Sequence, residues 1–409
     1  MNKVIFSVMA ATTLLTGSFT FALLRAEANG ADTEEDIAST DIAKFKDVEN
    51  HWAQDVIAKA YDRKMISGYE DGTFKPNGQI TRAEFAAILS RSTKLPSATG
   101  SDPFSDMKGH WAESAVIQLV AQGFINPGDY PSGFNPNTQL TRYEMIKWIS
   151  NGLMKSNDSF EQAFEDTQNT LLPTPEAIRG EISVDEVPYI ALVRGTGIVG
   201  GFADGTLKPK STTTRAEVAA ILLRYMDVEG ENADIYPDLK ELREVGLTGA
   251  NLVSNSNYRY MDGNFSNLIN TQITLSNKSA IMKIKRFIVV DATSGQLKGA
   301  YASLFNPAVQ DYQKGNYITY AELSFMSLLD VPNILTFSQG NKSRLVQFYR
   351  IADENYVNSV GLETLPSALN DYLKTGVERT FWTTSTLKGE KGGYILKNDN
   401  GSGVTISNS

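Results

Sequence analysis

Apolar residues recur at two different spacings along the chain. Up to residue 226 they return every three or four positions, which predicts helices with one apolar face each. Beyond residue 239 they alternate with polar residues, as in AIMKIKRFIVVDATSGQ, which predicts strands. The pattern therefore predicts a helical first part and an α+β or mainly β domain over residues 239–400.

The first helical stretch contains two predicted helices joined by a loop. One apolar face on the first helix is formed by Trp52, Val56, Ile57, Ala60 and Tyr61. Gly68 and a following Asp-Gly turn end this helix. A second apolar stripe begins after residue 80, so the unit is predicted to be a helix, a loop and a helix.

A cation stands where the second helix begins. Thr81 and Glu84 have the spacing of a capping box, which puts Arg82 at the first helical position. The helix dipole disfavours a cation there by about 0.3–1 kcal/mol. Arg142 and Arg215 repeat the arrangement, so three misplaced cations need an explanation.

These arginines mark three copies of one unit. Each has a proline six residues before it, at positions 76, 136 and 209, and each copy opens with Phe-x-Asp, at residues 45–47, 104–106 and 164–166. The copies are expected to span residues 42–98, 101–156 and 160–228, with an insertion at 167–186 in the third. Because one helix pair cannot bury its own apolar face, the copies are expected to pack on one another.

Four motifs in these copies resemble one known family. Phe-x-Asp, His-Trp-Ala, Gly-Tyr-Glu-Asp-Gly-Thr-Phe-Lys-Pro and Thr-Arg-Ala-Glu together are similar to the S-layer homology domain, whose typical arrangement is three tandem copies. The resemblance covers about residues 42–228. It implies an all-α, pseudo-threefold module that anchors an exported protein to secondary cell-wall polysaccharide. The implied ligand is a pyruvylated amino sugar, bound in grooves between copies.

Two explanations of the arginines are open. In the first, each arginine joins the free backbone N–H groups of its helix to bind a ligand carboxylate. In the second, each pairs with an acid of a turn or of a neighbouring copy, such as Asp71 or Asp204. The family resemblance favours ligand binding.

The motifs supply the candidate ligand-binding residues. They are Asp47, Trp52, Gly68, Arg82, Asp106, Trp111, Arg142, Asp166, Gly201 and Arg215. Both tryptophans either stack on a sugar ring or belong to the core. The glycines either let the backbone approach the ligand or end a helix.

Two copies depart from the pattern. In the second, NPGDYPSGF replaces the Gly-Tyr-Glu-Asp-Gly loop, so its loop contacts are open. In the third, Asp185 stands at the tryptophan position, where an acid would repel an anionic sugar. Binding is therefore expected to depend less on Arg215 than on Arg82.

The C-terminal part carries no family motif and no catalytic constellation. Residues 227–238 are predicted to be a polar connector, residues 365–377 a helix and residues 398–409 a frayed tail. We expect a non-enzymatic domain displayed by the anchor. The alternative is a wall-anchored carbohydrate hydrolase, which needs only two carboxylates that converge in space.

Composition narrows the function further. A net charge of −9 and a pI near 5.0 argue against nucleic-acid binding. The chain has no cysteine and two histidines, so thiolate and poly-histidine metal sites are excluded and no cofactor is expected.

Residues 1–28 fit a cleaved signal peptide, with an uncleaved membrane anchor as the rival interpretation. We expect a secreted protein of a bacterial cell wall or S-layer, with self-association in that layer.

Overall fold

The computed structural model describes residues 45–305 and 314–408. The proposed signal peptide, residues 1–28, lies outside this part of the chain. The helices of the first part are α1 (Gln54–Asp62), α2 (Arg82–Ser92), α3 (Glu113–Ala121), α4 (Arg142–Ser156), α5 (Asp158–Asp166), α6 (Pro175–Ile178), α7 (Val187–Gly195) and α8 (Arg215–Val228). No helix among the described residues is long and apolar enough to cross a membrane.

Each copy contributes one helix pair: α1 and α2, α3 and α4, α7 and α8. The predicted capping box is formed in all three, with Thr81, Thr141 and Thr214 as the caps. Between copies, α3 packs on α2, α7 packs on α4 and α1 packs on α8. The first helix of each copy therefore lies against the second helix of another copy.

A closed backbone ring joins the three copies. The Leu140 N–H donates to the Ile80 carbonyl (2.9 Å), Thr213 N–H to the Leu140 carbonyl (3.2 Å), and Ile80 N–H to the Thr213 carbonyl (3.1 Å). Each of these residues directly precedes the cap of its second helix. The ring fixes the cyclic order of contacts, while the pseudo-threefold symmetry of the module stays a prediction.

The C-terminal region is built on two antiparallel sheets. Their strands are β1 (Arg259–Gly263), β2 (Ile273–Thr274), β3 (Ala280–Asp291), β4 (Asn316–Ser327), β5 (Glu378–Lys388), β6 (Gly392–Lys397) and β7 (Gly403–Asn408). The sheet orders are β2-β3-β4-β5 and β1-β7-β6. Helices α9 (Pro237–Thr248), α10 (Ala302–Phe305), α11 (Ile334–Gly340) and α12 (Glu354–Val360) accompany them.

Two local predictions for this region are wrong. The tail predicted to fray contains β7, which lies between β1 and β6 and buries Val404 and Ile406. Its alternating apolar residues contribute to a core between the sheets. The predicted helix over residues 365–377 is turns and irregular chain, because Leu365 and Leu373 are buried there by the sheet and not by a helix stripe.

One hydrophobic core runs from the repeats into the C-terminal region. It includes Ile190 of α7, Leu239 of α9 and Tyr320 of β4. Gly195 allows this packing, since an added Cβ would lie 2.6 Å from the Leu239 Cα. The buried Tyr301 donates its hydroxyl to the Leu171 carbonyl (2.8 Å) in the third-copy insertion.

The segment predicted to be a polar connector is therefore part of the packed structure. Glu229 within it is 3% exposed. Its carboxylate accepts hydrogen bonds from the Tyr225 hydroxyl (2.6 Å) and from the Lys94 N–H (2.7 Å) of the first copy. The insertion and this segment attach the C-terminal region firmly to the helical module.

Candidate functional site

The three motif arginines pair across copies. Arg82 Nε lies 2.8 Å from Glu144 Oε1, Arg142 Nη1 lies 3.1 Å from Glu217 Oε1, and Arg215 Nη1 lies 3.6 Å from Glu84 Oε1. Every acid in this ring is the capping-box glutamate of another copy. Asp71 and Asp204, suggested as partners by the sequence, instead accept hydrogen bonds from Thr73 and Thr206 in their own turns.

Each guanidinium also donates a hydrogen bond to a loop of the neighbouring copy with which it pairs. Arg82, Arg142 and Arg215 donate to the carbonyls of Phe134, Leu207 and Phe74, each at 2.9 Å. The same arginines lie over the rings of Tyr130 (5.0 Å), Phe202 (4.8 Å) and Tyr69 (4.9 Å). Tyr130 belongs to the rebuilt loop of the second copy, which thus keeps an aromatic ring against its arginine.

The helix N-termini do not offer free N–H groups to a ligand. The N–H groups of Arg82, Arg142 and Arg215 donate to the carbonyls of Thr138, Ser211 and Gly78, each at 2.9 Å. The next N–H in each helix donates to the carbonyl of Pro136, Pro209 or Pro76. The expectation that a carboxylate would meet unpaired backbone donors there is wrong, because a neighbouring copy already occupies them.

The tryptophans are surface residues. Trp52 is 65% exposed and Trp111 is 66% exposed. Trp52 precedes α1, so its predicted place on the buried face of that helix is wrong, and Ile57 and Ala60 form the face instead. Exposure of a large aromatic ring beside a groove leaves it available for stacking.

Trp52 lies in a cavity of about 570 Å³ between the copies, here called the Trp52 groove. Arg142 of the second copy lines it, with Phe202, Glu217 and Arg224 of the third. Trp52 therefore lines the same groove as Arg142 of the second copy, and Arg82 of its own copy does not line it. Two guanidinium groups face one carboxylate, so the groove has an excess of positive charge.

Sequence reasoning missed Arg224. Its Nη1 donates to the Ile198 carbonyl (2.8 Å), and burial lowers its pKa. Arg91 makes the matching bond to the Met65 carbonyl in the first copy, and Asn151 makes it to the Phe124 carbonyl in the second. All three stand nine residues after a motif arginine, so aligning the copies beyond the motif would have found the position.

The copies are equivalent in sequence, so the elements that correspond to the Trp52 groove lie around Trp111, and this region is here called the Trp111 groove. Trp111 precedes α3, which packs on α2. Arg215 pairs with Glu84 of α2 and lies over Tyr69, and Arg91 is on the same helix. By this correspondence the counterparts of Trp52, Arg142 and Arg224 are Trp111, Arg215 and Arg91.

The third set of equivalent residues lies around Asp185 and is here called the Asp185 side. Its charge differs from that of the Trp52 groove. Arg82 pairs with Glu144 of α4, and α4 packs on α7, which follows Asp185 and Glu186. Asn151 replaces the second arginine. Lys147 of α4 is itself paired with Asp129 at 2.8 Å. The Asp185 side therefore lacks the tryptophan and the excess of positive charge.

The aspartates of the Phe-x-Asp starts brace loops. Asp47 accepts the N–H groups of Phe74 (2.8 Å) and Lys75 (2.7 Å), and Lys75 has φ 56°. Asp106 likewise accepts the N–H groups of residues 134 and 135. These contacts fix a strained turn that precedes each second helix.

Asp166 does not take this position in the third copy. Glu176 of the insertion accepts the N–H groups of Leu207 (2.7 Å) and Lys208 (2.8 Å) instead. Asp166 ends α5 and pairs with Arg243 of α9 at 2.8 Å. The third copy begins structurally at the insertion, and its earlier Phe-x-Asp sequence contributes to the contact with the C-terminal region.

The glycines serve close packing. A Cβ added to Gly68 would lie 2.1 Å from a ring carbon of Phe45. At Gly201 it would lie 3.2 Å from the Thr206 carbonyl oxygen. Gly200 lines the Trp52 groove together with Gly201, and an added Cβ there would meet nothing within 4 Å.

Comparison with known proteins agrees with this architecture. The S-layer homology domain model matches residues 44–86, 103–146 and 183–219. The third match begins at residue 183, so it leaves out most of the insertion, including Glu176. The chain contains three S-layer homology domains and is a secreted, cell-wall-associated protein.

The similarity to each relative covers only part of that relative's length. The amylopullulanase of Thermoanaerobacterium thermosulfurigenes is 30% identical over 46% of this chain and 10% of its own. An uncharacterized cell wall amidase of Bacillus anthracis is 25% identical over 65% of this chain and 51% of its own. The cellulosome-anchoring protein of Acetivibrio thermocellus is 34% identical over 32% and 30%. The chain thus spans about half or less of these relatives.

Proposed function

We propose that the chain binds secondary cell-wall polysaccharide non-covalently through the Trp52 and Trp111 grooves and thereby anchors its C-terminal region at the cell surface. The observation that carries the proposal is the shared cavity of Trp52, Arg142 and Arg224. An exposed ring beside paired cations is suited to a sugar that bears a carboxylate. The anchoring and surface proteins among the relatives support the same role.

The chemistry of the Trp52 groove favours an anionic sugar. The indole of Trp52 offers an apolar face to the C–H face of a sugar ring. Arg142 uses Nε and Nη1 on the Leu207 carbonyl and Glu217, and its Nη2 has no hydrogen bond to the described residues. That nitrogen can donate to a carboxylate without breaking the ring of ion pairs. A pyruvylated amino sugar has the required ring and charge.

Binding is proposed for two sites and not for three. Asp185 and Glu186 bring negative charge to the Asp185 side, where Trp and the second Arg are missing. An anionic sugar would gain no stacking there and would meet like charge. The Asp185 side is therefore proposed as a structural contact between the second and third copies.

The C-terminal region is proposed to be displayed, without catalysis. Burial raises the pKa of two of its acids, Glu241 and Glu244, and both accept hydrogen bonds from loops. Glu241 accepts from the Asn251 side chain and the Ala300 N–H. Glu244 accepts from the N–H groups of Val253 and Ser254. Among the described residues no group of three or more His, Asp or Glu could hold a metal. An assay of the purified chain on wall polysaccharide, with release of reducing ends as the readout, distinguishes display from the hydrolase alternative.

The anchoring proposal is tested by binding to wall material with and without its polysaccharide. The purified chain is expected to sediment with intact walls and to stay in solution with walls from which the polysaccharide has been extracted. Trp52→Ala together with Trp111→Ala should abolish sedimentation. Tyr349→Ala, which removes a 64% exposed ring outside the grooves, is the matched control and should bind normally. Undiminished binding of the double variant would refute the proposal.

A further inference from the structure

A second cavity lies between the third copy and the C-terminal region. Its volume is about 440 Å³, and α7, α9 and the segment around Ser303 line it. Cavities of about 300–1,000 Å³ accommodate small ligands. This cavity is distinct from the Trp52 groove, and only Gly200 lines both.

Arg194 lines this cavity, and its Nε is shielded from solvent. That nitrogen has no hydrogen-bond partner among residues 45–305 and 314–408. Among the described residues its guanidinium makes no ion pair within 4.0 Å, although the charges of Asp238 and Glu176 act on it. A buried donor that stays unsatisfied is costly, and more so when it is charged.

The repeat explains why this position is special. In the first copy the corresponding residue is Tyr61, whose ring packs on Phe45 of the Phe-x-Asp start at 5.4 Å. In the third copy the Phe-x-Asp sequence at residues 164–166 does not take this position, and Glu176 of the insertion makes the bracing contact instead. Arg194 therefore lines a cavity at the position where the first copy has an aromatic pair.

The lining supplies two opposite charges beside the apolar side chains of Pro173, Val199, Leu242 and Leu297. Asp238, on the first turn of α9, lines the cavity and makes no ion pair or side-chain hydrogen bond with a described residue. Gly195, Gly197, Gly200 and Gly299 also line it, together with Ser303. Added Cβ atoms at Gly197 and Gly200 would meet no atom of the described residues within 4 Å, so these residues leave the backbone there open to a ligand.

We propose that this cavity binds a small zwitterion of the amino-acid or short-peptide class, with its carboxylate on Arg194 and its ammonium group on Asp238. Each charge of such a ligand would meet the opposite, unpaired charge of the chain. A simple anion would be repelled by Asp238, and a simple cation by Arg194. Peptide N–H and carbonyl groups of the ligand would meet the backbone left open by the glycines.

The experiment is isothermal titration of the full chain with three probes. Glycylglycine carries both charges, N-acetylglycylglycine lacks the ammonium group, and glycylglycinamide lacks the carboxylate. We expect saturable binding of glycylglycine and at least about tenfold weaker binding of either blocked dipeptide. Equal binding of a blocked dipeptide, or no saturable heat with glycylglycine up to about 10 mM, would overturn the proposal.

Variants locate the site. Arg194→Gln and Asp238→Asn should each weaken glycylglycine binding about tenfold or more. Lys240→Gln on the same helix, outside the lining, is the control and should leave affinity unchanged. Arg194→Lys keeps the charge if Arg194→Gln fails to fold, and it should retain part of the affinity. Unchanged affinity in Asp238→Asn and either Arg194 variant would also overturn the proposal.

Discussion

Trp52 and Arg142 line the same cavity although they belong to different copies. The exposed indole comes from the start of the first copy, and the guanidinium comes from the second helix of the second copy. Phe202 and Arg224 of the third copy complete the lining. A groove of this kind is assembled from all three copies, so a motif residue need not act in the copy that carries it.

This relationship predicts a different ranking of the arginines from the one expected from the sequence. Arg82 pairs with Glu144 on the Asp185 side, while Arg215 pairs with Glu84 and is assigned to the proposed Trp111 groove. Arg142→Ala and Arg215→Ala should each reduce affinity for wall polysaccharide about tenfold or more, as expected for loss of a charge-assisted hydrogen bond. Arg82→Ala should change it several-fold less. Calorimetric titration of the three variants measures this order, and a dominant effect of Arg82→Ala would restore the ranking from the sequence.

The arginine ring also predicts a stability effect in the absence of ligand. Arg82 is paired with Glu144 and with the Phe134 carbonyl, and its side chain is only 17% exposed. Arg82→Ala should therefore lower the free energy of unfolding by about 1–3 kcal/mol. Arg63→Ala is the control, because its ion pair with Asp227 is long and exposed, and should cost less than about 1 kcal/mol. Equal urea midpoints for wild type and Arg82→Ala would show that the ring contributes no stability.

The shared core predicts that the helical module is weakened when it is cut from the rest. A chain ending at Met226 loses Glu229, which ties α8 to the first copy, and Leu239, which packs against Gly195. It should unfold at a lower urea concentration than the full chain and with a less cooperative transition. A truncated chain with the midpoint and binding of the full chain would show that the two parts are independent domains.

Glu241 predicts a pH dependence of stability. Burial raises its pKa to about 8, against an ordinary value of 4.5. Between these values the folded chain holds a proton that the unfolded chain releases, so this residue makes stability fall as pH rises through that interval. The slope it contributes is at most about 1.4 kcal/mol per pH unit. Glu241→Gln should flatten the dependence in urea titrations across that range, and an unchanged slope would assign it to other groups.

Local features of the fold could be predicted because their causes are local. Thr81 and Glu84 are three residues apart, and the capping box they predict is formed. The alternation in residues 280–296, which ends in a turn, predicts a strand, and β3 covers residues 280–291 of it. Such features depend on the geometry of a few neighbouring residues.

The site could be predicted only in part because its residues converge from distant positions. The spacing marks Arg142 as unusual but does not reveal that its acid is Glu217 or that its tryptophan is Trp52. Glu176 replaces an aspartate that the aligned start places at residue 166. Spacing within a copy cannot show which copy supplies each wall of a groove.

The measurement that tests the account most directly is the number of sugar sites per chain. Calorimetric titration with a pyruvylated amino-sugar monosaccharide should give two sites for the wild-type chain. Trp52→Ala and Trp111→Ala should each remove one site, and Asp185→Ala should leave the number unchanged. A third site in the wild-type chain, or two sites remaining after both tryptophans are replaced, would contradict the assignment of binding to the Trp52 and Trp111 grooves.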